Sequence, residues 1–211
     1  MTIEAASTGL PGPLAYGLGL ALRCGMPLFL LELLVLVLAV DFGSGLLHWA
    51  EDTFGSESTP LLGRWIVRAN VQHHDNGAAF VRFSYWRSNW DLLLLGALGV
   101  AVARWFDRLT WQVWVLALVG GHSNQVHKWA HMPRRDRPAP VRWLQSLHVL
   151  QTPAHHAGHH GGPRNTRYCV MTELLNPVLD GLGFWRGLER VLATPRNAPR
   201  RVDLWGARRA A

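Results

Sequence analysis

The chain has 211 residues, 49% of them hydrophobic and only 17% charged, with 21 basic side chains against 14 acidic ones and a net charge of +7. One domain fits that length, and the charged share is low for a soluble chain. A basic excess beside long apolar runs points to anionic lipid headgroups and away from nucleic acid, while two cysteines, Cys24 and Cys169, exclude a disulfide framework or a cysteine-rich zinc site.

Residues 1–13 are small, polar and rich in proline and glycine, and read as a flexible N-terminal tail. They lack a basic region followed by a clean cleavage site, so no signal peptide is expected. Residues 14–22 are apolar but are followed by Arg23, Gly25 and Pro27, which suits a short extra helix or a re-entrant piece. From Met26 to Val40 the chain is apolar apart from Glu32, and the run continues to Trp49. That exceeds the about 20 residues a bilayer-spanning helix needs. Thr59-Pro60 reads as the start of a helix carrying His73 and His74, with threonine as cap and proline at the first position. Trp90–Phe106 and Leu109–Gly121 are apolar runs joined at Asp107-Arg108, and they predict a membrane hairpin. Its second helix reaches spanning length only by continuing into HSNQVHKWAH. Val141–Val149 has helical spacing suited to the interface, and Asn176-Pro177 opens a short apolar helix before a basic tail at 196–211. No repeat and no strand is expected. The fold class is therefore all-α: an integral membrane helical protein with three or four transmembrane helices, a membrane domain over 14–195 and a histidine-rich helical cap.

Arginines orient it. Arg64, Arg68, Arg82 and Arg87 lie before the hairpin, Arg134, Arg135, Arg137 and Arg142 after it, and five more arginines close the chain. The positive-inside tendency places all three segments in the cytoplasm. His48, at the end of the first helix, and His127, after the hairpin, then emerge on that same face. Eleven tryptophans fit anchoring at the membrane boundary.

All eleven histidines fall between residues 48 and 160, mostly in close pairs. A neutral imidazole has a lone pair to give a metal. His127 and His131 in HKWAH are i and i+4, a spacing that puts both rings on one helical face. His155, His156, His159 and His160 in HHAGHH repeat it, and His73-His74, His48 and His148 add to the pool. His122 stands off the face of His127. Asp41, Gly45, His48 and Asp52 form one stripe of the first helix; an aspartate in lipid is costly, so Asp41 should meet a partner or a polar site. Asp52 suits a ligand or a group orienting a histidine. Nine or ten candidates are too many for one ion, which takes about four ligands, and suit two. Imidazoles with one carboxylate accommodate iron, zinc or copper.

Four stretches in order, DFGSGLLHWAEDTFG (41–55), GRWIVRANVQHHD (63–75), NQVHKWAH (124–131) and 141–176 with its HHAGHH, resemble the Kua-type lipid desaturases, whose best-defined members are plasmanylethanolamine desaturases. HKWAH and the HxxHH of His156, His159 and His160 resemble that family's histidine boxes. The resemblance implies a diiron membrane desaturase using O2 and two electrons from an external donor of cytochrome b5 or ferredoxin type. It implies that an alkyl ether phospholipid gains a vinyl ether double bond, as in plasmalogen synthesis. A plant branch instead desaturates an acyl chain of phosphatidylglycerol. The metal-ligand pool is then His48, Asp52, His73, His74, His127, His131, His148, His155, His156, His159 and His160, with Arg82, Arg87 and Arg164 as candidate phosphate contacts. The chain departs from the family pattern at Asn76-Gly77 and at Arg164-Asn165. Two other classes compete: a membrane zinc hydrolase, working without oxygen, and a non-enzymatic metal or haem carrier, for which ten ligands are excessive.

Overall fold

In the computed structural model, residues 25–161 and 164–193 are described. The tail at 1–13, the apolar piece at 14–22 and the basic segment at 196–211 lie outside them. Among the described residues every regular element is helical.

The first helix, α1 (Met26–Phe54), has 29 residues, a length of about 43 Å. Its two halves differ. The first exposes Met26, Leu28, Leu30, Leu31, Leu34 and Val35, and only 6% of its most apolar window is buried inside the molecule. A helix this apolar whose side chains face outward is long and apolar enough to cross a membrane, and among the described residues it is the one that meets that measure. The second half buries Asp41, Gly45, His48, Trp49, Asp52 and Thr53, which is the stripe expected from the i, i+4, i+7, i+11 spacing.

The expected hairpin is present as α4 (Tyr85–Trp105) and α5 (Trp111–Gly121). A Cβ on Gly96 would lie 3.0 Å from the Ala117 carbonyl oxygen, and one on Gly121 would lie 2.9 Å from Leu93, so small residues let these helices touch. Glu32 of α1 accepts from Gln112 of α5 at 2.7 Å, and Phe29 packs on Trp111 with ring centroids 5.2 Å apart. One expectation fails here. The second hairpin helix does not run on into HKWAH: it stops at Gly121, and a separate helix, α6 (Ser123–His131), begins after His122. Helix α6 is tied to the start of α4 by Asn124, which donates to the Ser88 carbonyl at 2.8 Å, and by Lys128, which donates to the Phe83 carbonyl.

The helix expected from Pro60 also starts later. Leu61 has a left-handed φ of 64°, which stops a helix at that point. A π-helical turn at Gly63–Val67 then leads into α2 (Arg68–Asp75), which carries His73 and His74. A Cβ on Gly63 would sit 2.4 Å from the Glu57 carbonyl oxygen, so the chain can close this turn only with glycine. Short helices α3 (Gly77–Val81), α7 (Ala139–Ser146), α8 (Pro153–His160), α9 (Leu175–Gly181) and α10 (Phe184–Leu192) complete the described chain.

The core is organised around an irregular segment, residues 168–172. Tyr168 and Cys169 are buried with Trp49 and Trp185, and Val170 and Met171 with Val126. A buried backbone without regular structure must find partners among side chains. It does so: Asp41 accepts from the backbone N–H of Met171 at 2.8 Å and of Thr172 at 3.1 Å, and from the Thr172 hydroxyl at 2.5 Å. Asn176 accepts from the Cys169 N–H and donates to its carbonyl, at 3.0 and 2.8 Å, and Gln151 donates to that carbonyl at 2.7 Å. Asp41 thus has partners, as its apolar setting demanded, and they are structural.

Candidate metal centre

The histidines gather at the end of α1 away from its exposed half. α8 starts at Thr152-Pro153, where the Thr152 hydroxyl accepts from the His155 N–H at 3.1 Å, an ordinary N-cap. The helix then puts His156, His159 and His160 inward.

Two groups of possible ligands form. His73, His127, His131, His156 and His160 make one; His48, Asp52, His74 and His159 make the other. Within each group the ligand atoms all lie within 4.8 Å of one another. In the first, Nε2 atoms converge: His127 to His156 at 2.9 Å, His131 to His156 at 2.9 Å, His160 to His156 at 3.0 Å and His131 to His127 at 3.3 Å. A neutral imidazole has one N–H and one lone pair, so four converging nitrogens cannot all be satisfied by each other. A cation among them resolves this, and such spacings suit nitrogens about 2.1 Å from one ion. In the second group Asp52 lies 3.0 Å from His74, 3.2 Å from His159 and 3.6 Å from His48. Asp52 Oδ2, His73 Nε2, His74 Nδ1, His156 Nδ1 and His159 Nε2 are buried without a hydrogen-bond partner. Of these, Asp52 Oδ2, His73 Nε2 and His159 Nε2 are on the ligand side of their groups, and orphaned atoms of these kinds fit a metal pair. The groups adjoin, with the His73 and His74 rings 4.3 Å apart.

The outer nitrogens are fixed by backbone carbonyls. Nδ1 of His73 donates to the Asn70 carbonyl at 2.5 Å, that of His48 to Tyr168 at 3.2 Å and that of His159 to Thr166 at 2.7 Å. Each bond selects the tautomer that leaves Nε2 free to ligate. Asn70 also donates to Asp52 at 2.6 Å. Burial pushes His73 and His156 well below the usual histidine pKa, and neighbouring imidazoles add to the effect. Burial likewise holds His131 at about 4. These rings are therefore neutral, with lone pairs available, at ordinary pH.

Not every expected ligand is in the groups. His148 has a left-handed φ of 56° and an exposed side chain whose Nδ1 meets Glu173 at 2.5 Å. His155 points away from α8's inward face and meets the Asn176 amide at 3.1 Å. His122 bonds the Leu118 carbonyl at 2.6 Å. Arg82 ends α3. Arg164 has a φ of 48° and its carbonyl accepts from the Tyr168 hydroxyl at 2.8 Å. Arg87 lies over the Phe83 ring at 3.9 Å and lines a chamber of about 110 Å³ that also touches His48, His73 and His127. Glu51, Asn70, Asp91 and Asn124 line that chamber too. Their isolated places in the sequence gave no signal of this.

The family model of the lipid desaturase domain matches residues 37–202. A mouse protein named plasmanylethanolamine desaturase 1 is 33% identical over 189 residues, which cover 84% of this chain and 69% of that protein. A plasmanylethanolamine desaturase of Myxococcus xanthus is 33% identical over 194 residues, 88% of this chain and 68% of its own. An Arabidopsis thaliana protein named fatty acid desaturase 4-like 1, chloroplastic, is 31% identical over 157 residues, 72% of this chain and 52% of its own. No solved structure matches this fold.

Proposed function

This chain belongs to the lipid desaturase family, and on that premise we propose that it makes the vinyl ether bond of a plasmalogen in an alkyl ether phospholipid. His48, Asp52, His74 and His159 would hold one iron, and His73, His127, His131, His156 and His160 the other. Iron bound there would supply the activation of O2 by two electrons from an external carrier. In balance, the first and second carbons of the alkyl chain, counted from the ether oxygen, lose one hydrogen each, and O2, two electrons, two protons and those two hydrogens end as two waters.

The residues of this chain bind, orient and shield. The carbonyls of Asn70, Thr166 and Tyr168 hold imidazoles in one tautomer. Trp65, Phe80, Phe83 and Trp90 wall the chamber beside His48, His73 and His127, limiting water where the carbons would lie. Positioning of one methylene pair is the protein's main contribution to such a reaction. The arginine-rich segments support a site at the cytoplasmic face, with α1 as the helix that would cross the membrane.

The convergence of imidazole nitrogens that cannot satisfy one another carries this proposal. Its test is expression with an electron-donating reductase, lipid extraction and mass spectrometry for acid-labile vinyl ethers. Product that depends on O2 and iron is expected; turnover in anaerobic buffer with zinc alone would defeat it. A second reading, a double bond in an acyl chain, draws on the name of the Arabidopsis relative, and the same lipid extract separates the two.

A further inference from the structure

Three cavities share walls. The chamber against His48, His73 and His127 meets, through Trp65, Ala69, Phe83, Arg87 and Trp90, a second space of about 520 Å³. Arg64, Arg68 and Gln72 complete that second space, so three guanidinium groups line it. On another side the chamber meets, through Ser44, Leu47, Leu92 and Ser123, a cleft of about 650 Å³ between α1, α4 and α5. That cleft is walled by Val40, Leu95, Val100, Val113 and Leu116 among others, and has the size of a typical ligand site.

We propose that these spaces form one path for a lipid substrate: phosphate at Arg64, Arg68 and Arg87, reacting carbons against His48, His73 and His127, and one hydrocarbon chain in the cleft between α1, α4 and α5. The path rests on the lipid-desaturase proposal above for its substrate, and adds where each part of that substrate lies. Arginine suits the phosphate end because its planar fork matches phosphate oxygens; Arg68 has only a loose 4.0 Å contact to Glu57 to give up. The order of the three spaces then fixes regiochemistry. Arg87 and the histidines line one chamber, and the apolar cleft leads away from both. The double bond therefore forms at the polar end of the chain and not in its middle.

Glycines along the cleft differ in what they do. Those at 96 and 121 bring α4 and α5 into contact, as described. Gly43 and Gly99 do something else: a Cβ on either meets nothing within 4 Å, although both line the cleft. A side chain there would enter the proposed chain's space without displacing the protein's own atoms.

Gly43→Phe and Gly99→Phe are therefore expected to lower conversion of long-chain ether lipid at least about tenfold while short-chain substrate is still converted. Gly181→Phe, on α9 where a Cβ also meets nothing within 4 Å, should leave the chain-length profile as in the wild type. Arg87→Gln should raise KM for the phospholipid but not for the alkylglycerol that lacks phosphate. In parallel, the wild-type protein is photo-crosslinked with a phospholipid carrying a diazirine at its chain end, and labelled peptides are mapped. Labels on the cleft-lining stretches of α1, α4 and α5 support the path, even if the wild type makes no vinyl ether, in which case the proposed reaction fails and the path stands. Labels spread evenly over the exposed apolar surface, or an unchanged chain-length profile in folded Gly43→Phe and Gly99→Phe, would overturn it.

Discussion

Gly77 opens α3 with its Cα facing the His131 imidazole. A Cβ added there would lie 2.6 Å from Nδ1 and 3.1 Å from Cε1, whereas ordinary contact begins at 3.4 Å. In Gly77→Ala the ring must therefore retreat by roughly 0.8 Å, since close-packed interiors do not absorb such an overlap elsewhere. His131 is one of five imidazoles in its group, and a displacement near 1 Å at a reacting site costs on the order of 100-fold in rate. Folding should respond far less. Gly77 does not need a left-handed φ, and alanine favours a helix over glycine by up to about 1 kcal/mol. That gain offsets part of the cost of the overlap, so the expected variant stays close to wild-type stability, yet is about 100-fold slower and deficient in iron. Iron per chain by mass spectrometry, circular dichroism on heating and vinyl ether yield measure the three quantities. Full iron and wild-type turnover in Gly77→Ala would show that the His131 ring does not need its place.

Asp41→Asn would turn an amide N–H toward backbone donors that now bond the carboxylate, leaving buried groups unpaired at a cost of roughly 2–3 kcal/mol; a detergent-solubilised variant with an unchanged melting temperature would contradict this. His156→Ala should abolish product while retaining helix content. His148→Ala should keep nearly full turnover, because its exposed pairing with Glu173 is worth under about 1 kcal/mol and it lies outside both groups. The pH profile has a definite sign. Burial holds His131 at about 4, below the ordinary histidine value of 6.5, and shifts His73 and His156 in the same direction. Below about 6.5 the unfolded chain takes up protons that the fold refuses, so metal-free protein loses stability as pH falls from there toward 4. Melting temperatures at several pH values test this, and a flat profile across that window would refute it.

Much of the architecture is legible because it follows from periodicity. The α1 stripe of Asp41, Gly45, His48 and Asp52 and the i, i+4 histidine pairs place side chains by helix geometry alone. What escapes is set by approach between distant segments. A break at His122 leaves a pattern that reads equally well as one long helix. His148 shares its neighbours' residue type, but its left-handed backbone turns it outward. The carbonyls of Asn70, Thr166 and Tyr168 that orient the histidines carry no sequence signal, because every residue has a carbonyl. Glu51 and Asp91 are single polar positions that only the folded chamber groups together.

The Asp41 clasp also sets an order of assembly. Its partners lie 130 and 131 positions further along the chain. During synthesis α1 is complete long before Met171 and Thr172 have left the ribosome, so its carboxylate waits without them. Contacts of such separation form late, after loop closure over most of the chain. The same late segment supplies the Tyr168 carbonyl to His48 and the Thr166 carbonyl to His159. The two ligand groups can therefore reach their native arrangement only after translation has passed residue 172, and a chain released earlier leaves the Asp41 carboxylate without these partners in an apolar helix.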